Sequence, residues 1–270
     1  IKSIPELDRI KEDSHGLRIG ALAKLDHVAS SPAIKAGYRA LYEAAGSVAF
    51  PEIRSMGTIG GNLCQDVRCW YYRYPHHMGG RLLCYRKGSG PCLAVKGDHR
   101  YHAIMWGKVC LAVCPSDTAT ALLALQAEIQ VVGARGTRTL PVEDFFTPLG
   151  NSLSKGDLVT EIRVPRPAQG NRQTFLKFTV RRPIDFAVAS VASVIIVEDG
   201  VCVDARIVLG GVAPVPLRAK GAERVVQGKP LAAKTAEEAA DASVSEAKPR
   251  SGNAYKVEIT KTLVKRALLL

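Results

Sequence analysis

The stretch from Cys64 to Cys114 constrains this 270-residue chain most, because it has almost no hydrophobic periodicity. A segment without a regular repeat of apolar positions forms neither an amphipathic helix nor a half-buried strand. We therefore expect a long loop there, with the sheets and helices formed by the sequence on either side. The loop contains six of the seven cysteines, at positions 64, 69, 84, 92, 110 and 114. The seventh, Cys202, lies in an apolar alternating run and is expected to be buried in a strand.

The clustered cysteines favour a metal site over disulfides. The N-terminus has no apolar core of a signal peptide, and no segment reaches the roughly 18 apolar residues of a membrane helix. We therefore expect a soluble, cytoplasmic protein, in which thiols stay reduced. Zinc is one alternative, although the zinc-ribbon CxxC spacing is missing, and an iron–sulfur cluster with loop-borne ligands is the other. The spacing alone does not identify which four cysteines bind.

The formal net charge of +12 raises the alternative of a nucleic-acid-binding module. The basic residues are spread along the chain, however, and are not gathered in one tract. Residues 64–110 are the most basic region, and aromatic residues such as Trp70 and Tyr71 accompany the charges. A collar around an anionic cofactor, or a docking face for an acidic partner, accounts for the same residues.

The sequence on either side of the loop predicts an α+β protein. Upstream, a strand is indicated by GLRIGALAKL, and helical spacing of small and apolar residues by HVASSPAIKAGYRALYEAAGSVA. Downstream, Ser116 or Asp117 can cap a helix, which is followed by strands in EIQVVG, TRTLP and GDLVTEIRVP. The polar segment after Pro165, RPAQGNRQ, marks a domain boundary. Three strands with tight turns and two helical segments follow it, which predicts a sheet covered by helices on one face.

A short glycine motif, TIGGN at residues 58–62, comes directly before the loop. It does not match the GxGxxG pattern or the strand–turn–helix context of a nicotinamide site. Gly60 and Gly61 permit backbone N–H groups to face a phosphate or a ring edge, and Asn62 can hydrogen-bond the same group. An ordinary turn is the more frequent role of Gly-Gly-Asn, so the motif gains weight only from its neighbours.

Four segments in a fixed order resemble one known family. They are RSMGTIGGNLCQDVRC, PSDTATALLAL, GDLVTEIRVP and FLKFTVRRPIDFAVASVA. This order is similar to that of the FAD-binding medium subunits of molybdenum hydroxylases, the relatives of xanthine dehydrogenase and carbon monoxide dehydrogenase. The resemblance implies a PCMH-type FAD-binding domain over residues 1–166, with the Cys-rich loop inserted at about 64–114. A C-terminal α+β domain with a three-stranded antiparallel sheet and helices would span residues 174–270.

The resemblance also implies the site residues. The insert looks most like that of the β subunit of 4-hydroxybenzoyl-CoA reductase, in which an extra loop carries a [4Fe–4S] cluster. The cluster ligands match Cys69, Cys84, Cys92 and Cys110, which leaves Cys64 and Cys114 as bystanders. The second FAD loop matches Thr58, Ile59, Gly60, Gly61 and Asn62, and two further FAD positions match Asp117 and Lys177. Without the resemblance, the residues alone favour Asp117 as only a helix cap and Lys177 as only a solvated strand residue. The family's first FAD loop, an Ala-Gly-Gly-Thr-Asp-like segment, has no match here, because the similarity begins just after it.

The implied function is electron transfer within a molybdenum hydroxylase complex. FAD exchanges electrons singly or in pairs, and a [4Fe–4S] cluster carries one electron. The implied partners are a large subunit with the molybdenum cofactor, a small [2Fe–2S] subunit and an acidic donor such as ferredoxin, with no nucleic acid and no membrane. Substrate chemistry, for example aromatic acyl-CoA reduction, would take place on the large subunit. Two alternatives are a zinc-stabilised, redox-inactive scaffold of the same fold and a basic nucleic-acid-binding module.

Overall fold

The computed structural model describes residue 1, residues 3–74 and residues 82–270. Residues 75–81, which belong to the predicted insert, lie outside the described residues. The described residues form antiparallel sheets with helices packed on them, which confirms the predicted α+β class.

The first domain is built on a five-stranded antiparallel sheet and a small separate hairpin. Its strands are β1 Ile10–Asp13, β2 Gly16–Gly20, β3 Glu128–Gly133, β4 Gly136–Pro141, β5 Phe146–Thr147, β6 Gly150–Asn151 and β7 Leu158–Pro165. The sheet order is β1-β2-β7-β3-β4, and the hairpin pairs β5 with β6. In the sheet, β7 lies between β2 and β3. The chain leaves the sheet after β2 and returns to it at β3, and the insert belongs to this long connection.

In the described part of the chain, eight short helices accompany this sheet. They are α1 Leu25–Ser30, α2 Pro32–Gly37, α3 Arg39–Gly46, α4 Pro51–Met56, α5 Ile59–Cys64, α6 Trp70–Arg73, α7 Asp117–Ala124 and α8 Val142–Phe145. The predicted helical stretch is divided into α1, α2 and α3. Pro32 separates α1 from α2 because it can begin a helix but cannot continue one, and Tyr38 leaves the helical conformation between α2 and α3. Ser116 is the N-cap of α7, since its Oγ accepts a hydrogen bond from Ala119 N at 3.1 Å.

The second domain contains a four-stranded antiparallel sheet followed by three helices. The strands are β8 Asn171–Phe178, β9 Ala189–Glu198, β10 Val201–Gly210 and β11 Leu217–Arg218, and the helices are α9 Lys220–Val226, α10 Ala233–Ser243 and α11 Tyr255–Leu269. The three predicted strands are present. The prediction of a three-stranded sheet is nevertheless wrong, because the two-residue strand β11 is a fourth strand and is too short to leave a periodic signal. The predicted tight turn joins β9 to β10, whereas a ten-residue connection, 179–188, joins β8 to β9.

The prediction that this sheet is covered on one face is wrong, because the first domain covers the other face. Side chains of β9 alternate between two cores. Ala192 and Val194 pack in the first-domain core, which includes α7, while Val191 and Ile195 pack in the second core with α10 and α11. A strand buried on both faces reads as a nearly continuous apolar run, and residues 189–197 of β9 do so apart from Ser190 and Ser193.

The insert is largely irregular, as predicted from its lack of periodicity. Its described residues contain α6 and two 3-10 turns, Tyr85–Lys87 and Leu93–Val95. The insert is tied to the second domain by backbone hydrogen bonds, since Ile104 N and Met105 N both donate to Val212 O, at 2.9 and 3.1 Å. No helix of the described chain is long and apolar enough to cross a membrane.

Candidate functional site

A cavity of about 400 Å³ lies where the insert, the start of α7 and the β8–β9 connection meet. This volume falls within the range of about 300–1,000 Å³ that is usual for small-molecule sites. Its walls include Arg68, Cys69, Trp70, Tyr101, His102, Ser116, Asp117, Arg181, Phe186 and Ser190. We refer to it as the interdomain cavity.

The walls of the interdomain cavity suit a flat ligand with polar edges. Arg68 lies 5.0 Å from the centroid of the Phe186 ring, and Trp70 adds a second aromatic wall. Two buried polar atoms of wall residues, Ser190 Oγ and His102 Nδ1, have no hydrogen-bond partner within the part of the chain described. Buried polar atoms are rarely left unpaired, so a bound molecule that supplies their partners fits here.

Asp117 and Lys177, both predicted as site residues, form a buried ion pair at the edge of the cavity. Lys177 Nζ donates to Asp117 Oδ2 at 2.6 Å, and the two side chains are 8% and 6% exposed. Burial raises the pKa of Asp117, while the Lys177 ammonium opposes that shift. Asp117 lines the cavity, and Lys177 also donates to Ser47 O at 3.0 Å. Lys177 is therefore not a solvated strand residue, and it joins β8 to the start of α7.

The TIGGN loop lies beside the cavity and is not among the residues that line it. Thr58 caps α5, because its Oγ1 accepts from Gly61 N at 3.1 Å. The N–H groups of residues 59, 60 and 62 also have acceptors within the chain, namely Ala23 O, Ala21 O and Thr58 O. In this structure the N–H groups from Ile59 to Asn62 therefore stabilise the turn, and a ligand would have to share them.

Asn62 connects the TIGGN loop to the wall of the cavity. It is 8% exposed, and its Oδ1 accepts hydrogen bonds from Ser116 Oγ at 2.6 Å and from Thr118 Oγ1 at 2.7 Å. Ser116 in turn lines the cavity and caps α7. The predicted loop is thus hydrogen-bonded to the residues on either side of the predicted Asp117.

The four predicted cluster ligands line one small pocket next to the cavity. Cys69, Cys84, Cys92 and Cys110 come from separate segments of the insert and surround a space of about 20 Å³, together with Tyr71, Tyr72, Tyr85 and Val109. We refer to this space as the cysteine pocket. Cys69 lines both the cysteine pocket and the interdomain cavity, so it forms part of the wall between them.

The environment of Cys69 shows how closely the pocket is packed. Burial raises the pKa of the Cys69 thiol, N–H groups of Tyr72 and Tyr71 oppose that shift, and the nearby Cys110 and Cys92 add to it. His102 Nε2 lies 3.3 Å from Cys69 Sγ. Burial lowers the pKa of His102 to about 4, so its imidazole is neutral at physiological pH.

Of the other three cysteines, Cys114 and Cys202 are buried and Cys64 is partly buried. Cys202 is fully buried in β10, which confirms the prediction of a buried strand residue. Burial raises the pKa of Cys114 to about 12 and also raises that of Cys64. Neither Cys64 nor Cys114 lines the cysteine pocket. Among the described side chains, no group of three or more His, Cys, Asp or Glu residues is placed so that it could hold a metal ion.

Comparison with protein families identifies the fold and its cofactor. Residues 1–167 match the model described as the FAD binding domain in molybdopterin dehydrogenase. Residues 174–270 match the model of the CO dehydrogenase flavoprotein C-terminal domain. The chain belongs to the family of FAD-binding subunits of molybdenum hydroxylases.

Relatives of this FAD-subunit family are similar along nearly the whole chain. The FAD-binding subunit of an aldehyde oxidoreductase from Escherichia coli is 32% identical over 94% of this chain and 78% of its own. The carbon monoxide dehydrogenase medium chain of Hydrogenophaga pseudoflava is 30% identical over 99% of this chain and 79% of its own. A solved structure of carbon monoxide dehydrogenase from that organism, lacking the Mo-pyranopterin moiety of the cofactor, has a TM-score of 0.76 at 29% identity and covers 100% of this chain and 79% of its own.

Several cavity residues of this FAD subunit were not predicted as site residues. Tyr101 and His102 lie in the aperiodic insert, and Arg181 and Phe186 lie in the unexpectedly long β8–β9 connection. A signal for Arg181 and Phe186 was present in VRRPIDF, residues 180–186, which belongs to a segment that resembles the family. The sequence pattern alone predicted only a tight turn there. Arg181 and Asp185 within it form an ion pair at 2.7 Å.

The role of Gly60 can be tested by substitution. A Cβ atom at Gly60 would lie 2.8 Å from both the Cβ and the carbonyl oxygen of Ala21. The first turn of α5 therefore packs directly on the residue that follows β2. We expect Gly60→Ala to lower the free energy of unfolding by about 1–3 kcal/mol, the usual cost of overpacking. Chemical denaturation measures the loss. The control is Gly46→Ala in α3, where the new Cβ would lie 3.9 Å from Ala29 Cβ, and no loss is expected.

Lys256 of α11 makes stability depend on pH. It is fully buried, and its Nζ donates to Gly211 O at 2.6 Å, His102 O at 3.1 Å and Tyr101 O at 3.3 Å, three residues of the cavity wall. Burial lowers the pKa of Lys256 to about 7. Between this value and the unfolded value of about 10.4, the unfolded chain holds the proton and the native chain does not, so stability rises with pH.

We therefore expect the free energy of unfolding of the unsubstituted protein to rise between about pH 7 and 10, by up to about 1.4 kcal/mol per pH unit from this group. Lys256→Met should remove that slope, and it should also cost stability because three carbonyl oxygens each lose a hydrogen bond from Nζ. Denaturant titrations at several pH values measure both effects. Lys265→Met on the same helix, whose side chain is 39% exposed, is the control and should retain the slope. Equal slopes in all three proteins would contradict this account.

Proposed function

We propose that this FAD subunit is the electron-transfer subunit of a molybdenum hydroxylase complex, with the FAD ring in the interdomain cavity and a [4Fe–4S] cluster in the cysteine pocket. The observation that carries the proposal is the convergence of four cysteines on one pocket, with Cys69 also lining the adjoining cavity. Bound there, FAD would exchange electrons singly or in pairs and the cluster would exchange one at a time.

Support for the flavin site comes from the walls of the interdomain cavity. Phe186 and Trp70 offer apolar surfaces to a ring, and the unpartnered Ser190 hydroxyl and His102 Nδ1 offer hydrogen bonds to its polar edge. Asp117 stands at the rim with Lys177 behind it. We assign Thr58, Ile59, Gly60, Gly61 and Asn62 to the diphosphate side. There, Asn62 holds the loop against Ser116, and the N–H groups of the loop would be shared with the ligand.

Support for the cluster site comes from the positions of the thiols. Cys69, Cys84 and Cys92 each occupy the N-cap of a short helical turn, and the backbone N–H groups of Tyr71 and Tyr72 interact with the Cys69 sulfur. Backbone N–H groups placed in this way favour a thiolate at Cys69, the form in which cysteine binds iron. The volume of the cysteine pocket is about 20 Å³, which is about the space of one water molecule. Iron and sulfide would therefore need the surrounding side chains to rotate outward.

The surface over the cysteine pocket suits an acidic electron donor of the ferredoxin kind. Tyr85 and Val109 line the pocket and are 56% and 40% exposed, so the pocket lies close to solvent. Within residues 82–110 five Lys and Arg residues stand against the single acid Asp98. Such a positive field steers an acidic partner and speeds its association, an effect that salt weakens.

The wider assembly follows from the family. The relatives are named as subunits or chains of aldehyde oxidoreductase and carbon monoxide dehydrogenase. We propose a large subunit that carries the molybdenum cofactor and the substrate, and a small [2Fe–2S] subunit beside this chain. Aromatic acyl-CoA reduction, as in 4-hydroxybenzoyl-CoA reductase, is the substrate chemistry we propose from the Cys-rich insert. The cytoplasmic location predicted from the sequence stays a prediction.

The test is the cofactor content of the anaerobically purified protein. We expect about four irons, about four sulfides and one FAD per chain, with flavin and iron–sulfur absorption. FAD without iron and sulfide would contradict the cluster half of the proposal. Zinc bound to the insert without iron or colour would support the redox-inactive scaffold in its place.

A further inference from the structure

His102 lies in the wall that separates the two proposed cofactor sites. It is 3% exposed and lines the interdomain cavity, and its Nε2 is 3.3 Å from Sγ of Cys69. Its ring meets Trp70 edge-on, with 5.0 Å between the ring centroids. The imidazole therefore contacts a proposed cluster ligand and also a wall of the flavin cavity.

The backbone of His102 is fixed by the second domain. Its carbonyl oxygen accepts hydrogen bonds from Lys256 Nζ at 3.1 Å and from Asn253 Nδ2 at 3.2 Å. Its N–H donates to His99 O at 2.9 Å. Since Lys256 and Asn253 are fully buried, these contacts fix the backbone from which the imidazole reaches Cys69.

The neighbouring His99 shows how a histidine with only a structural role is bonded here. His99 Nδ1 contacts Ala94 O at 3.1 Å, and its Nε2 accepts from Gly252 N at 3.0 Å, so both ring nitrogens have backbone partners. His102 has a sulfur at one nitrogen and no partner within the described chain at the other. Packing alone does not require that arrangement.

Resting on the proposed function, we propose that His102 is a positioning residue that donates its Nε2–H to the Cys69 sulfur and raises the reduction potential of the cluster. An iron-bound thiolate carries no proton, so the imidazole must be the donor. Reduction adds negative charge to a cluster, and a donor at its sulfur stabilises the reduced state more than the oxidised state. Hydrogen bonds to cluster sulfurs are one of the main determinants of cluster potential.

The test compares His102→Phe, which has no donor, with His102→Gln, whose side-chain amide can donate. Reduction potentials are measured by EPR-monitored redox titration of anaerobic protein. Because the reduced cluster loses a donor that it binds more strongly than the oxidised cluster does, we expect the reduced-to-oxidised ratio of His102→Phe to fall about tenfold at a fixed potential. Tenfold corresponds to about 59 mV for a one-electron couple. His102→Gln and the control His99→Gln should stay close to the unsubstituted value.

A second measurement decides the matter if His102→Phe does not retain its iron. Pulsed EPR of the reduced unsubstituted protein, grown with ¹⁵N-histidine, should show a histidine nitrogen coupled to the cluster, and His102→Gln should lose that coupling. A cluster-containing protein without this coupling, or equal potentials in His102→Phe and His102→Gln, would overturn the role of His102. A protein that contains no iron–sulfur cluster would instead contradict the proposed function itself, and iron and sulfide analysis separates the two failures.

Discussion

Cys84→Ser and Cys92→Ser should each lose nearly all iron and sulfide, together with the brown colour of the protein. Both residues line the cysteine pocket, and soft thiolates are the ligands that iron–sulfur clusters require, whereas a serine hydroxyl at neutral pH is a poor replacement. Iron and sulfide analysis of each anaerobically purified variant measures the loss. FAD should be retained, because neither residue lines the interdomain cavity.

The remaining cysteines provide matched controls for this result. Cys64→Ser and Cys202→Ser change thiols that line neither the cysteine pocket nor the interdomain cavity, so iron should stay at the unsubstituted level. Cys114→Ser should also keep its iron, although Cys114 lines the interdomain cavity and its flavin content needs a separate measurement. Equal iron loss in Cys64→Ser or Cys114→Ser would show that the assigned set of four ligands is incorrect.

Lys177→Met should lower the free energy of unfolding by about 3–5 kcal/mol, because it leaves the Asp117 carboxylate buried without its partner. The two side chains are 8% and 6% exposed and their charged atoms are 2.6 Å apart, so water cannot replace the lost ammonium. Since this pair joins β8 to the start of α7 at the cavity, we also expect weaker FAD retention. Denaturant unfolding and flavin analysis of the same preparation measure the two effects.

The double substitution Asp117→Asn with Lys177→Met separates charge burial from other effects. Removing both charges should recover a large part of the stability, because no uncompensated charge remains. The control is Lys220→Met, whose Nζ is 3.7 Å from Glu143 in an exposed pair, and it should cost only about 0–1 kcal/mol. A double variant as unstable as the sum of its single variants would contradict a coupled pair.

Elements with a clear period were predictable from the sequence, and contacts between domains were not. The apolar runs of β9 and β10 indicated strands, and Ser116 before an alanine- and leucine-rich stretch indicated the cap of α7. The burial of both faces of β9 was not predictable. Burial against helices and burial against another domain favour the same apolar side chains, so the sequence does not show which of them covers a face. The length of the 179–188 connection was not predictable, because a proline, Pro183, between charged residues such as Arg181 and Asp185 is also typical of an ordinary turn.

The candidate site was predictable only where a family-like motif marked it. The meeting of Cys69, Cys84, Cys92 and Cys110 could not be derived from spacing in an aperiodic segment, since a loop allows many closures of similar entropy. The glycine motif suggested an ordinary turn, whereas residues 59–62 begin helix α5. The close packing of Gly60 on Ala21 depends on a residue nearly forty positions upstream. His102 carried no signal in the sequence, because its position beside Cys69 depends on Lys256 and Asn253 of the other domain.

The most direct test of the central claim is the rate at which a reduced acidic one-electron donor of the ferredoxin kind reduces the flavin, measured anaerobically by stopped-flow absorbance at 450 nm. The account predicts rapid flavin bleaching in the unsubstituted protein, slowed by added salt because exposed charges are screened. It predicts much slower bleaching in FAD-containing Cys84→Ser, since the electron path through the cysteine pocket is lost. Equal bleaching rates in the two proteins would contradict an electron relay within this chain.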